Sequence, residues 1–211
     1  MSIEFQGLKD GVEALIEGLM SFDQRDDGDY TTEELLKCKA FIVFCHAEFE
    51  IYFEKVARRI LKEAKARWDE HHIPDRVIAT LLAYRQKELP PIPDDPSQPL
   101  GRSKLSTIVD AAVLNQTGAI DDNNGIKANN LAKLFCPLGL MEADIEGALM
   151  IQLNSTGTLR GDFVHKPSKI SIRRIRDPIA DELAEIKSLM AEIAKFDAHI
   201  ESIALISLPV A

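Results

Sequence analysis

The sequence predicts an all-α protein, and two observations carry this prediction. Apolar residues recur at intervals of three and four along most of the chain, which is the spacing of helices packed on a common core. Alternation of apolar and polar residues, typical of a strand, is limited to residues 169–175, where isoleucines are interleaved with serine and arginine. We therefore expect a helical bundle with long core helices.

The first two helices have the clearest patterns. A first helix is predicted, in spite of three glycines, by the apolar residues Phe5, Leu8, Val12, Leu15, Ile16 and Leu19. Thr31 and Glu34 have the spacing of a capping box at the start of a second helix. Because residues 29–100 contain no glycine, we expect this helix to run from about Thr32 to about Trp68. Its aromatic residues are expected to pack in the core or in a dimer: Phe41, Phe44, Phe49, Tyr52 and Phe53.

The later elements are separated by proline and glycine. Pro74 suits the first turn of a third helix. Five prolines predict an extended surface loop at residues 89–100, within a single domain of residues 1–211, and a linker between two domains is the less favoured interpretation. Further helices are expected over Ser103–Asn115, over Ile126–Phe135, from about Glu142 towards Leu159, and after Asp177 and Pro178.

Composition excludes several classes of protein. No apolar run approaches the roughly 20 residues of a membrane-spanning helix, so we expect no membrane association. The first twenty residues are acidic rather than basic and apolar, which favours a cytoplasmic protein over a secreted one. The cysteines Cys38, Cys45 and Cys136 lack metal-ligand spacing, so we expect buried thiols, no metal site and no cofactor.

Charge is distributed unevenly along the chain. The net charge of −9 argues against a protein that coats nucleic acid with its whole surface, yet residues 160–176 carry six cations and only Asp162 as an anion. In this segment the imidazole of His165 can accept a proton near pH 7, and the guanidinium of Arg160 can bind phosphate oxygens. On an unbroken helix, residues five apart project about 140° apart. Either Gly161 loosens the turn or a second subunit brings its own copy alongside; alternatively, the pair only caps helix carbonyls or binds Asp162.

Three segments carry a resemblance to a known family. They are KAFIVFCHAEFE at residues 39–50, NGIKANNL at 124–131 with Leu-Gly-Leu at 138–140, and RGDFVH at 160–165, where an Arg and a His flank four residues. In this order they resemble the HEPN superfamily of small helical bundles, and more closely its RiboL-PSP type. The resemblance spans about Thr32 to Pro167 and, through the last helix, most of the chain.

The resemblance implies a metal-independent ribonuclease that acts on RNA as a homodimer, in a defence or toxin setting that can include an antitoxin or another partner protein. It implies catalytic roles for Arg160, His165 and Asp162. Expected substrate contacts come from the basic run and from the long helix: Lys166, Lys169, Arg173, Arg174, His46 and Glu48. His46 and Glu48 are two apart on a helix and point to different sides, and buried polar packing is the favoured interpretation for both.

The sequence departs from the family at two positions. Gly161 follows the Arg where many members have Asn or Asp, so the carboxylate comes one residue later, at Asp162. Pro167 stands where toxin members often have a tyrosine that is modified, so silencing by that modification is not available here. Two alternatives stay open: a non-catalytic helical module that binds RNA, a nucleotide or a partner protein, and a scaffold subunit with no affinity for RNA.

Overall fold

The computed structural model describes residues 1–25, 28–88, 102–141, 144–165, 172 and 175–206, and the regular structure in these residues is entirely helical. The helices are α1 (Ile3–Leu19), α2 (Thr32–His71), α3 (Arg76–Arg85), α4 (Arg102–Asp121), α5 (Ala128–Phe135), α6 (Gly147–His165) and α7 (Ala184–Ile206). Short 3-10 turns follow α3 and α5, and a π-helical segment, Pro178–Leu183, leads into α7. The prediction of an all-α bundle is confirmed over this part of the chain.

The 40-residue helix α2 is the centre of the bundle. Every other helix packs against it, and its buried face runs from Cys38 to Trp68. The ring of Phe53 makes edge-to-face contacts with Tyr52, with Phe135 of α5 and with Phe196 of α7. Such contacts add to the free energy gained by burying the rings. Both α5 and α7 therefore stabilise the position of the middle of α2.

The start of α2 follows the predicted capping box. The Thr31 backbone N–H donates to Oε2 of Glu34 at 2.7 Å, and the Glu34 backbone N–H donates to Oγ1 of Thr31 at 3.2 Å. The helix ends at His71, and His72 follows in a left-handed conformation with φ of 53°. The capping box is confirmed, and the helix exceeds its predicted length by three residues.

Other predicted boundaries need correction. Pro74 lies outside α3, because Asp75 is the N-cap and its carboxylate accepts a hydrogen bond from the Ile78 backbone N–H at 2.9 Å. Helix α4 continues six residues past Asn115, to Asp121. Helix α6 begins at Gly147 and continues to His165. Burial of its Gly157 and Phe163 supplies tertiary packing, which outweighs the weak helix propensity of glycine.

The cysteine prediction is confirmed in part. Cys38 and Cys45 are fully buried, whereas Cys136 is partly exposed because it lies in the turn after α5. Burial raises the pKa of the Cys38 thiol to about 12. The proline-rich loop at 89–100 and most of the candidate strand at 169–175 lie outside the described residues. In the described ranges, no helix combines the length and the apolar character needed to cross a membrane.

Candidate active site

Residues of the segments 39–50, 124–131 and 160–165, which carry most of the family resemblance, lie close together in the fold. Helix α6, which bears Arg160, packs against α2 and against the start of α5. The Ala128 backbone N–H at the start of α5 donates to Oδ1 of Asn154 on α6 at 3.1 Å. At Gly157 an added Cβ would lie 2.9 Å from Cγ of Lys127, so the glycine lets the lysine chain lie directly on the helix backbone. This packing places the Lys127 side chain beside the turn of α6 that carries Arg160.

His46 is the buried member of this cluster. Its side chain is 3% exposed, and its Nδ1 lies 3.7 Å from Oε2 of Glu50 one turn along α2. Burial, together with the positive charges of Arg160 and Lys127, lowers the pKa of His46 to about 4. At neutral pH the imidazole is therefore uncharged, and Arg160 and Lys127 both act on it electrostatically.

Glu50 supplies the opposing charge. Burial and the neighbouring Glu54 raise the pKa of Glu50, while Arg160 acts in the opposite direction. In the described part of the chain, no carboxylate oxygen lies within 4.0 Å of an Arg160 nitrogen, so Glu50 compensates the guanidinium at a distance. The Arg160 donors are thus not consumed by an internal salt bridge to these residues, and they can bind an anionic ligand.

A polar network continues from Glu50 along α2. His46, Glu50 and Glu54 are spaced four residues apart and form a row on one face of the helix. The Asn123 amide donates to Oε1 of Glu54 at 2.9 Å, and the Asn130 amide donates to Oδ1 of Asn123 at 3.2 Å. The loop before α5 is thereby fixed to α2, which keeps Lys127 in place.

The structure places the predicted site residues in different surroundings. Arg160 is half-buried and faces α2, Asp162 is half-buried, and His165 is the exposed last residue of α6. Because α6 is unbroken through Gly161, Arg160 and His165 project about 140° apart around its axis. The structure therefore excludes a loosened turn at Gly161 as the means of bringing the two side chains together in one chain.

The two predicted residues on α2 separate. His46 joins the cluster, whereas Glu48 faces α1, where an added Cβ at Gly11 would lie 2.8 Å from its Oε2. Glu48 is thus packed on the α1 side of α2 and does not line the cluster around Arg160, as its spacing from His46 had indicated. The predicted substrate contacts Lys166, Lys169, Arg173 and Arg174 lie outside the described residues.

Sequence reasoning missed the second half of the cluster. Lys127 and Asn130 lie inside the second resemblance segment, and Glu50 ends the first, but none of them was assigned a role. The four-residue spacing of His46, Glu50 and Glu54 was the available indication. The contact partners of Lys127 could not be found in this way, because Gly157 is thirty positions away in the sequence.

The buried His46 makes a prediction about stability. The unfolded chain binds more protons than the folded chain between the folded pKa of about 4 and the ordinary value of 6.5. The stability that the neutral His46 contributes is complete above about pH 6.5. As the pH falls towards 4, the unfolding free energy drops by about 3 kcal/mol. We expect His46→Gln to show a correspondingly smaller loss of unfolding free energy between pH 7 and pH 4, measured by chemical denaturation. His71→Gln, at an exposed position, is the control and should lose as much unfolding free energy as the parent protein between pH 7 and pH 4. If His46→Gln also loses as much as the parent, the lowered pKa of His46 is contradicted.

The fold and the cluster together define a class. A helical bundle around one long helix, with an Arg and a His separated by four residues on a helix packed against it, is a HEPN-type domain. A RiboL-PSP-HEPN family profile matches residues 14–196, and the chain belongs to this family. No curated protein and no solved structure matches the chain significantly. The matched range contains α2 to α6 in full, and therefore His46, Glu50, Lys127, Arg160 and His165.

Proposed function

We propose that the protein is a metal-independent endoribonuclease that cleaves RNA by attack of a ribose 2'-hydroxyl on the adjacent phosphorus. The observation that carries this proposal is the electrostatic environment of the Arg160 guanidinium. Its guanidinium acts electrostatically on the uncharged imidazole of His46, Lys127 packs on Gly157 one turn before it, and no carboxylate oxygen of the described residues lies within 4.0 Å of its nitrogens. A half-buried cation in such surroundings is suited to a phosphate group.

The chemistry needs a base, an acid and a group that stabilises negative charge. In the proposed reaction His165 removes the proton from the 2'-hydroxyl, and the oxygen forms a new bond to phosphorus. The bond from phosphorus to the 5'-oxygen breaks, and that oxygen leaves with a proton from a second imidazole. Arg160 donates to the phosphoryl oxygens, where negative charge grows in the transition state. The products are a 2',3'-cyclic phosphate and a 5'-hydroxyl.

The angle between Arg160 and His165 supports a dimeric site. One chain presents the two side chains about 140° apart on a continuous helix, so a single copy does not direct both at one phosphate. A second copy can supply the missing group from its own α6. We therefore include a homodimer in the proposal, with Arg160 and His165 of the two copies in a common groove.

Substrate and product chemistry test this function directly. We expect the purified protein to cut a random-sequence single-stranded RNA library in the presence of EDTA, and to leave the same library made as DNA intact. RNA fragments should carry 5'-hydroxyl ends, which a polynucleotide kinase can label without prior phosphatase treatment. For a preferred site, replacing the single 2'-hydroxyl by hydrogen should abolish cleavage at that position.

The same experiment separates the proposal from its rival. A non-catalytic module would bind the RNA with an affinity that falls as salt rises, but it would leave the library uncut. Loss of cutting in EDTA, or fragments with 5'-phosphate ends, would contradict the proposed mechanism. Binding is measured in parallel by fluorescence anisotropy. An uncut library that is bound indicates a non-catalytic RNA-binding module, and an uncut library that is not bound indicates a scaffold subunit.

A further inference from the structure

The N-terminal half of α2 carries an exposed apolar face that the candidate site does not use. Phe44 is 53% exposed and Ile51 is 43% exposed, Ala47 is exposed, and Ala40 is half-buried. These four residues are spaced by four, three and four positions, so they form one stripe along the helix. They lie between the side of α2 that holds His46 and the side that packs on α1 through Glu48.

The stripe continues into charged residues at both ends with the same spacing. Glu33 and Lys37 precede it, and Glu54 and Arg58 follow it. Over these roughly seven turns, one heptad position is occupied by Lys37, Phe44, Ile51 and Arg58, and the other by Glu33, Ala40, Ala47 and Glu54. We call this set of eight residues the α2 seam. Its two rows have opposite character, with large or basic side chains in one and small or acidic side chains in the other.

We propose that the α2 seam is the interface with a second copy of this chain, packed antiparallel. With the two-fold axis between Cys45 and His46, Phe44 faces Ala47 of the second copy, and Ile51 faces its Ala40. Each large apolar side chain then fills the space above a small one, as interdigitation requires. An isologous interface of this kind is self-complementary, because each layer occurs twice.

The charged ends select the antiparallel arrangement. In the same register Arg58 faces Glu33 of the second copy, and Lys37 faces its Glu54. Parallel packing would instead place Glu33 on Glu33, Lys37 on Lys37 and Arg58 on Arg58, which is unfavourable for like charges in contact. Within the chain Glu33 already holds Lys37 at 2.7 Å, and Arg58 binds Asp121 at 2.7 Å, so these side chains are positioned before association.

The arrangement has a consequence for the proposed nuclease, and this step rests on the proposed function. A two-fold axis perpendicular to two antiparallel helices relates each flank of one helix to the same flank of the other. His46 lies beside the centre of the seam, on the flank that faces α6 and Arg160. Both copies of Arg160 therefore lie on the same side of the dimer, along one groove between the paired α2 helices.

Mass measurements test the interface. We expect light scattering to give twice the 23.5 kDa mass of the chain, and Ala47→Glu to give a monomer with an unchanged circular dichroism spectrum. Leu114→Glu is the matched control, since Leu114 is an exposed apolar residue of α4, at 70% exposure, outside the seam. It should remain a dimer. A monomeric parent chain, or a dimer that survives Ala47→Glu, would overturn the proposal.

Cysteine cross-linking tests the register. The double variant Phe44→Cys/Ala47→Cys should form a covalent dimer on mild oxidation, because each new thiol faces the other position of the second copy. Either single variant should form far less, since its thiol faces the native residue. Equal cross-linking by a single variant would overturn the antiparallel register. RNA cleavage is assayed separately: a dimer with these properties that never cuts RNA contradicts the proposed function and leaves the interface standing, whereas a cutting enzyme insensitive to Ala47→Glu contradicts the interface alone.

Discussion

Arg160→Ala is expected to lower the rate of RNA cleavage by about 10²- to 10³-fold, the effect of removing a donor aimed at charge that develops in a transition state. Arg160→Lys should fall between the parent and the alanine variant, because an ammonium keeps the charge but loses the paired donors. The measurement is single-turnover cleavage of a preferred RNA at saturating enzyme. Lys187→Ala removes the same charge from an exposed position on α7 and should leave the rate unchanged.

A second readout distinguishes a direct role of Arg160 from a loss of structure. Arg160 is one of the two cations that lower the pKa of His46, so its removal should raise that pKa while His46 stays buried. An NMR titration of the histidines measures this change in a folded variant. Full cleavage activity in Arg160→Ala, with the His46 titration shifted as expected, would show that the guanidinium is near the imidazole but not part of the reaction.

Mixing two inactive variants tests which chains supply the two groups. Arg160→Ala retains His165, and His165→Ala retains Arg160. If the groups act from different copies, an equal mixture of the two variants, allowed to exchange subunits, should recover a measurable fraction of the parent rate. Mixtures that form heterodimers, as shown by mass spectrometry, but recover no activity would place both groups in the same chain.

Asp197→Ala is expected to lower the unfolding free energy by about 3–5 kcal/mol, because it removes an acceptor shared by several buried donors. Asp197 is 2% exposed, and it accepts hydrogen bonds from the Ser2 backbone N–H at 2.8 Å, from the Ser2 hydroxyl and from the Tyr52 hydroxyl at 3.2 Å. Ser2 is also the N-cap of α1. The substitution thus loosens α1, α2 and α7 at their common contact.

Two further variants serve as comparisons for the unfolding free energy of Asp197→Ala. Tyr52→Phe removes one donor and leaves Asp197 bonded to Ser2, so its cost should be about 1 kcal/mol. Asp10→Ala removes an exposed carboxylate of α1 that accepts a hydrogen bond from Gln6, and it should change stability by less than about 0.5 kcal/mol. Urea denaturation measures all three. A cost for Asp197→Ala no larger than that of Tyr52→Phe would show that the Ser2 contacts contribute nothing.

Local chemistry accounts for the parts of the fold that were predicted correctly. The start of α2 is set by two residues three apart that satisfy each other's backbone groups, and no distant contact is needed. The buried face of α2 follows directly from its apolar spacing. By contrast, α6 continues past the predicted end near Leu159 to His165, although glycine has a weak helix propensity. Tertiary packing of the buried Gly157, which lies against Lys127 thirty residues away in the sequence, outweighs that local effect.

The sequence by itself determined the all-α class and the main helices, and it placed Arg160 and His165 together in one short segment. Each of these features depends only on neighbours within a few turns. Only the tertiary structure decided what surrounds Arg160, because His46 and Lys127 reach it from helices and loops far apart in the chain. It also decided that Glu48 faces away and that Arg160 and His165 diverge on a continuous α6. The physical reason is that a charge's environment is set by packing across the bundle, and helical periodicity specifies which face is buried without specifying what is buried against it.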